Sequence, residues 1–160
     1  MKQLIVLRHA KTEREHQDGD RARRLTDRGE RDAASAAQTI IAAAGMPDMI
    51  VSSDATRAIQ TAEIAATAMA FPAEIVSNQS IYLAELDDLI LVARSLPDEA
   101  STIVLIGHNP GFLDLINWFA GEDGQRERLP TSAFAIVSGA VDSWSELEPG
   151  TASVSPVVSP

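Results

Sequence analysis

The stretch KQLIVLRHAKT, residues 2–12, contains four consecutive apolar residues followed directly by Arg8 and His9. A short continuous apolar run of this kind is typical of a strand that is buried on both faces of a sheet. The strand therefore ends on a guanidinium, which binds anionic oxygens in pairs, and on an imidazole, which can act as a nucleophile. Two reactive side chains are thus predicted to lie at the mouth of a buried sheet.

The length of the chain limits the number of domains, and its net charge limits the classes of partner. The chain has 160 residues, of which 45% are hydrophobic, enough for one core and little more. We therefore expect a single domain over residues 1–150, followed by a C-terminal tail or edge segment over residues 151–160. Asp and Glu outnumber Lys and Arg 23 to 13, and the net charge of -10 disfavours nucleic acid and anionic membranes as partners.

The absence of cysteine and the first residues of the chain indicate the compartment in which we expect the protein to act. No cysteine is present, which excludes disulfides and a thiolate nucleophile and would limit a zinc site to 3 histidines and carboxylates. The first apolar run is too short for a signal peptide or for a membrane-spanning segment. We expect a cytoplasmic protein that acts as a monomer.

Apolar runs of strand length alternate along the chain with alanine-rich stretches of helical periodicity. This alternation predicts an α/β fold, a three-layer sandwich with a mostly parallel central sheet and helices on both faces. The predicted strands cover residues 4–7, 48–53, 73–77, 102–107 and 133–139, the last of them at an edge of the sheet. Asp27, Ser53 and Asn109 are predicted to cap three of the helices.

Four candidate site residues follow the predicted strands, at the edge of a parallel sheet where ligands bind. Arg8 and His9 end the first strand, Arg57 lies just after the second, and His108 follows the run TIVLIG. Two guanidiniums can clamp a phosphoryl group while a neutral imidazole attacks phosphorus in line. The simplest interpretation of each residue by itself is a solvated or core side chain. Because all four follow predicted strands, however, a phosphate site is favoured. The third histidine, His16, lies in a polar loop and receives no role.

Five segments resemble, in order, the motifs of the histidine phosphatase superfamily. They are LIVLRHAKT, LTDRGERDA, IVSSDATRAIQTAE, IVLIGHNPG and LPTSAFAIVSG, and the resemblance extends over residues 2–148. It implies a phosphoglycerate mutase-like fold. The segments RRLTDRG, LPTSA and SWSELEPG, together with the short length, point to the SixA-type phosphohistidine phosphatase branch, a minimal version of the fold without a lid insertion.

The resemblance also implies roles for the strand-end residues. His9 would be the nucleophile and would form a transient phosphohistidine that water hydrolyses. Arg8 and Arg57 would hold the phosphoryl oxygens, and His108 would donate a hydrogen bond to the same group. No cofactor and no metal are implied, and the two strand-end histidines lack the spacing of a metal-binding pair.

Two further residues are matched with less specific motifs. Arg23 corresponds to a substrate-binding arginine, although Arg24 stands where the family usually has proline. Glu85 is the nearest match to the glutamate that larger members use as a general acid, and an equally good interpretation is that it begins a helix. A weak or absent acid would indicate phosphohistidine as substrate, because its imidazole leaving group is already a modest base.

The expected function is removal of phosphate from phosphohistidine in a phosphorelay or phosphotransfer protein. Residues 78–101 are enough for a turn and one helix but not for a lid, and an open cleft suits a side chain that another protein presents. Two alternatives stay open: a phosphatase of small phosphorylated metabolites or phosphomonoesters, and a non-catalytic phosphate-binding module on the same fold. The arginines at positions 21, 23, 24 and 28 form either a positive rim for a partner or a solvated loop.

Overall fold

One six-stranded sheet forms the centre of the molecule. The computed structural model describes residues 1–160, apart from the side chain of Asp123. Its strands are β1 (Lys2–Arg8), β2 (Met49–Ser52), β3 (Val76–Ser77), β4 (Thr102–Gly107), β5 (Phe134–Gly139) and β6 (Ala152–Val154). They lie in the order β3-β2-β4-β1-β5-β6. The first four are parallel, β5 is antiparallel to β1, and β6 is antiparallel to β5.

Two pairs of helices cover the two faces of this sheet. The helices are α1 (Asp27–Ala44), α2 (Thr56–Met69), α3 (Leu86–Arg94) and α4 (Gly111–Ala120). Along β1, Ile5 and Leu7 pack into the cluster that contains α1 and α2, whereas Leu4 and Val6 pack into the cluster that contains α3 and α4. All four side chains are fully buried, and burial of each stabilises the fold by about 1.5–3 kcal/mol. The predicted three-layer α/β sandwich is confirmed.

The topology places a crevice beside the ends of β1 and β4. From β1 the chain runs through α1 on one face to β2, whereas from β4 it runs through α4 on the other face to β5. Neighbouring parallel strands whose connections leave in opposite directions open a crevice at their carboxyl ends, the usual ligand site of an open sheet. His9 follows β1 and His108 follows β4, so both candidate histidines lie at this crevice.

The helix starts differ from the sequence expectation. The Thr26 side chain, not that of Asp27, caps α1 by accepting a hydrogen bond from the Gly29 N–H at 3.1 Å. Neither Ser53 nor Asn109 caps its helix, because Ser53 Oγ lies 2.8 Å from His108 Nε2 and the Asn109 side chain donates to a loop carbonyl. These polar side chains make tertiary hydrogen bonds that local sequence signals do not report.

The C-terminal residues complete the sheet. β6 pairs with β5, which pairs on its other side with β1, so the prediction of β5 as an edge strand is wrong. Beyond β6, Val158 and Phe134 exchange two backbone hydrogen bonds of 2.8 and 2.9 Å. The structure also limits β3 to two residues, where the sequence predicts five. None of the described helices is long and apolar enough to cross a membrane.

Candidate functional site

The two candidate histidines lie side by side because their strands are neighbours. Arg8 is paired with Gly107 across β1 and β4, so the residues that follow, His9 and His108, meet with ring centroids 5.1 Å apart. The His9 N–H donates to the Gly107 carbonyl at 3.0 Å and extends the sheet by one residue. A side chain at Gly107 would collide with the ring of Phe112, which packs directly beneath this junction.

One cavity collects most of the predicted site residues. It has a volume of 360 Å³, within the usual size range of ligand sites, and lies at the carboxyl ends of the strands. Its lining includes Arg8, His9, Arg23, Arg57 and His108. Arg57 reaches it from the first turn of α2, the helix that follows β2.

The His9 imidazole is held as a neutral group with one nitrogen free. Its Nδ1 lies 2.8 Å from the Ala10 carbonyl oxygen, and since a carbonyl only accepts hydrogen bonds, Nδ1 carries the proton. Burial is the main cause that lowers the pKa of His9 to about 4, with the guanidiniums of Arg57, Arg8 and Arg23 acting in the same direction and the Ala10 hydrogen bond opposing them. The Nε2 lone pair is therefore available as a nucleophile at neutral pH.

The His108 imidazole is also neutral, and its Nδ1 makes no hydrogen bond to the described residues. Burial, and then the repulsion that a protonated ring would meet from protonated His9 and from Arg57, lower its pKa to about 3. Its Nε2 lies 2.8 Å from Ser53 Oγ, which already accepts a hydrogen bond from the Ala55 N–H. Because the Ser53 hydroxyl can donate to Nε2 or accept from it, the contact fits either neutral tautomer, and in the tautomer whose Nε2 accepts, Nδ1 carries the ring proton.

Three buried nitrogens of the site have no hydrogen-bond partner among the described residues. Two are the Nε donors of Arg8 and Arg57, and the third is Nδ1 of His108, which is a donor in the tautomer that carries its proton there. The remaining nitrogens of the arginines are partly engaged, since Arg8 Nη1 donates to the Leu129 carbonyl at 3.0 Å and Arg57 Nη1 to the Asp20 carbonyl at 2.7 Å. A buried donor without an acceptor costs about 1–3 kcal/mol, so these atoms favour an anionic ligand with several oxygens.

Arg23 is anchored by the loop that precedes α1. Its Nε donates to the Glu13 carbonyl at 3.0 Å and its Nη2 to Thr12 Oγ1 at 2.6 Å. The N–H of Arg24 donates to Glu13 Oε1 at 3.0 Å, a bond that the family's usual proline could not make. The departure from proline is thus matched by a hydrogen bond within the same loop.

Asp20 is a residue of the cavity that the sequence analysis missed. Its carboxylate accepts hydrogen bonds from the Tyr82 hydroxyl at 2.7 Å, from Arg23 Nη1 at 2.9 Å and from Arg57 Nη2 at 3.0 Å. The Tyr82 hydrogen bond, followed by those of the two arginines, holds the pKa of Asp20 well below its usual range. Asp20 is therefore ionised at neutral pH and cannot act as a proton donor.

Glu85 is the predicted site residue that the structure does not bring to the cavity. It is exposed at the N-cap position of α3, and its side chain makes no capping hydrogen bond. Asp20 is the acidic residue that lines the cavity among the side chains described. No group of three or more His, Cys, Asp or Glu residues in the described part of the chain could hold a metal ion.

Comparison with known proteins identifies the family. Residues 4–80 match the family model described as the histidine phosphatase superfamily (branch 1). The chain is also 33% identical over 156 residues to an uncharacterized chloroplastic protein of Arabidopsis thaliana, which covers 91% of this chain and 70% of that protein. The chain belongs to the histidine phosphatase superfamily. It is therefore a phosphatase, a hydrolase of the kind that the strand-end residues predict.

Solved structures of the superfamily share the complete fold. A phosphohistidine phosphatase SixA from Nakamurella multipartitia superposes with a TM-score of 0.85 at 23% identity, covering 99% of this chain and 96% of that one. The protein histidine phosphatase SixA complexed with tungstate superposes with a TM-score of 0.83 at 20% identity, covering 98% and 96%. These likenesses confirm the predicted phosphoglycerate mutase-like fold without a lid insertion.

Proposed function

We propose that this phosphatase removes the phosphoryl group from phosphohistidine side chains of a phosphorylated protein, with His9 as the nucleophile. The observation that carries the proposal is the free, neutral Nε2 of His9 in a cavity with the unpartnered Nε donors of Arg8 and Arg57 and the unpartnered Nδ1 of His108. A dianionic phosphoryl group has three non-bridging oxygens to accept from such donors. The arrangement therefore supports both binding and attack at the same phosphorus.

The reaction proceeds in two displacements at phosphorus. In the first, the Nε2 lone pair of His9 attacks phosphorus, the P–N bond of the substrate breaks, and the leaving imidazole nitrogen takes up a proton from solvent. In the second, a water oxygen attacks the phosphorus carried by Nε2, the P–N bond to His9 breaks, and inorganic phosphate leaves while one proton of the water returns to solvent. Arg8, Arg57 and His108 stabilise the negative charge on the equatorial oxygens in both steps.

The lack of a protonated carboxylic acid among the described side chains of the cavity supports phosphohistidine as the substrate. Asp20 is ionised by its contacts with Tyr82, Arg23 and Arg57, and Glu85 lies outside the cavity. A phosphate monoester releases a poor leaving group that needs a proton from an acid, whereas the imidazole of phosphohistidine is a better leaving group. The donors present are thus better matched to cleavage of a P–N bond than of a P–O bond.

The open cleft supports a protein as the carrier of the phosphohistidine. Between β3 and β4 the chain forms only a short 3-10 turn (Gln79–Ile81) and α3, and neither encloses the cavity. A side chain on the surface of another protein can therefore reach His9. The SixA structure with tungstate, which shares this fold, carries the description of a protein histidine phosphatase.

The test compares the unmodified protein with His9→Ala and with His16→Ala as a matched control, since His16 lies outside the cavity. Each is incubated with a phosphorylated histidine-phosphotransfer domain and, separately, with an aryl phosphate. We expect rapid release of phosphate from the phosphorylated domain, loss of activity in His9→Ala and normal activity in His16→Ala. Activity of His9→Ala equal to that of the unmodified protein would refute the nucleophile, and a preference for the aryl phosphate would refute the substrate class.

A further inference from the structure

We propose that Lys11, Arg14 and Leu83, here called the rim, form a docking surface for an acidic protein face that carries the phosphohistidine. This inference rests on the proposed function and adds to it the chemistry of the partner. All three side chains line the mouth of the catalytic cavity and are exposed to solvent. They contact none of the catalytic side chains through a hydrogen bond in the described structure.

The charge of the cavity exceeds what one phosphoryl group requires. In a chain of net charge -10, this single cavity is lined by Arg8, Lys11, Arg14, Arg23 and Arg57 and by one carboxylate. A phosphoryl dianion together with that carboxylate balances three of these cations. Two positive charges therefore remain for negative groups of the substrate other than the phosphoryl group.

The two unbalanced charges belong to Lys11 and Arg14. No hydrogen bond or ion pair engages either side chain among the described residues, whereas Arg23 bonds to Asp20 at 2.9 Å. Two of the arginines that the sequence analysis grouped together are also paired: Arg21 with Asp54 at 3.4 Å and Arg28 with Asp32 at 3.4 Å. Arg24, the remaining arginine of that predicted group, does not line the cavity. The free cations at the cavity are thus Lys11 and Arg14, which the sequence analysis did not single out.

The backbone that carries Lys11 is fixed, so its charge is presented from a rigid base. The Lys11 carbonyl accepts a hydrogen bond from the Thr26 N–H at 3.0 Å, and Gly29 at the start of α1 packs so closely against it that no Cβ would fit. A rigid base lowers the entropy lost when a partner docks. The loop is therefore suited to hold a docking charge beside the nucleophile.

An acidic partner is attracted to this rim despite the negative charge of the whole molecule. At physiological ionic strength the screening length is about 8 Å, so charges far from a contact have little effect on it. Within that range, the lining of the cavity carries five cations and one carboxylate, so the local charge is positive. The same arrangement repels acidic faces from the rest of the surface and so orients the encounter.

Leu83 adds an apolar contact to the rim. Its side chain is 54% exposed, and its φ of 48° is a left-handed conformation that is unfavourable for a bulky residue. Such conformations persist where surrounding structure imposes them, and they are concentrated at functional sites. Here the conformation holds an apolar side chain in solvent at the cavity mouth, where a docked protein would cover it.

The experiment uses two short synthetic peptides that each contain one phosphohistidine, flanked by Asp in one and by Asn in the other. We measure kcat/KM for both with the unmodified protein, with the double variant Lys11→Gln/Arg14→Gln, and with Arg31→Gln/Arg94→Gln as a charge-matched control at two exposed arginines outside the cavity. The readout is the ratio of kcat/KM for the Asp peptide to that for the Asn peptide, because both peptides share the reacting group.

We expect a ratio of about ten for the unmodified protein and for the control, and a ratio near one for the rim variant, because exposed ion pairs of this kind each change binding by a few fold. Raising the salt to about 0.5 M should lower the ratio for the unmodified protein. Leu83→Ala should raise KM for a phosphorylated histidine-phosphotransfer domain while leaving KM for the Asn peptide unchanged.

The failures of the two proposals are distinguishable. Hydrolysis of neither peptide refutes the proposed phosphohistidine activity itself. Equal hydrolysis of both peptides by the unmodified protein refutes the rim and leaves the activity intact. A preference for the Asp peptide that survives in Lys11→Gln/Arg14→Gln likewise refutes the rim, since another surface must then read the acidic groups.

Discussion

The neutral state of His9 makes the stability of the protein depend on pH in a defined way. The pKa of His9 is about 4 in the folded chain and 6.5 at its ordinary value, because the buried site disfavours the charged ring. Between these two values the unfolded chain binds a proton that the folded chain does not, so the free energy of unfolding falls as the pH is lowered. At pH 5 the loss attributable to His9 is about 2 kcal/mol, and above pH 6.5 it vanishes.

The assay is urea unfolding of the unmodified protein and of His9→Asn at pH 8 and at pH 5. Asn retains an N–H that can donate to the Ala10 carbonyl but does not titrate, so the variant lacks this contribution. We expect the unmodified protein to lose about 2 kcal/mol more than His9→Asn between the two pH values. An NMR titration of the His9 ring measures the same quantity directly. Equal losses, together with a ring that titrates near 6.5, would show that burial does not hold His9 neutral.

Three substitutions test other parts of the site. Glu85→Gln should leave kcat/KM within about twofold of the unmodified protein, because the side chain is exposed outside the cavity. A hundredfold loss of kcat/KM would instead show that Glu85 is the general acid. Ser53→Ala removes the partner of His108 and should lower kcat/KM by about tenfold, with unchanged rates ruling out this positioning role. Gly107→Ala should lower the free energy of unfolding by about 1–3 kcal/mol in thermal or urea unfolding, because the new methyl group would meet Phe112 at 2.5 Å. Unchanged stability would mean that the ring moves freely.

Much of the fold was predictable because its signals are local. The apolar run before Arg8 predicts a strand buried on both faces, and the run TIVLIG before His108 predicts a second one, which the structure reproduces as Thr102–Gly107. The helical periodicity of the alanine-rich stretches is an equally clear signal for the helices. Boundaries were less predictable, since Thr26 rather than Asp27 caps α1 and β3 keeps only two residues. Capping and edge pairing depend on which polar atoms a neighbouring element supplies.

The residues of the candidate site were also predictable only in part. The sequence placed Arg8, His9, Arg57 and His108 at strand ends, and parallel strands must bring such ends to one edge of a sheet. It gave no signal for Asp20, whose partners Arg57 and Tyr82 lie 37 and 62 residues further along the chain. Nothing in the polar loop around Asp20 has a period or spacing that points to those partners.

The sequence by itself determined which elements form, which family the motifs resemble and which side chains follow the central strands, because alternation, periodicity and motif order are properties of neighbouring residues. Only the tertiary structure decided the chemical state of those side chains. The neutral rings of His9 and His108, the ionised Asp20 and the exposed Glu85 all follow from burial and from hydrogen bonds between distant segments. A pKa depends on the solvent and the charges around a group, and these exist only once the chain has folded.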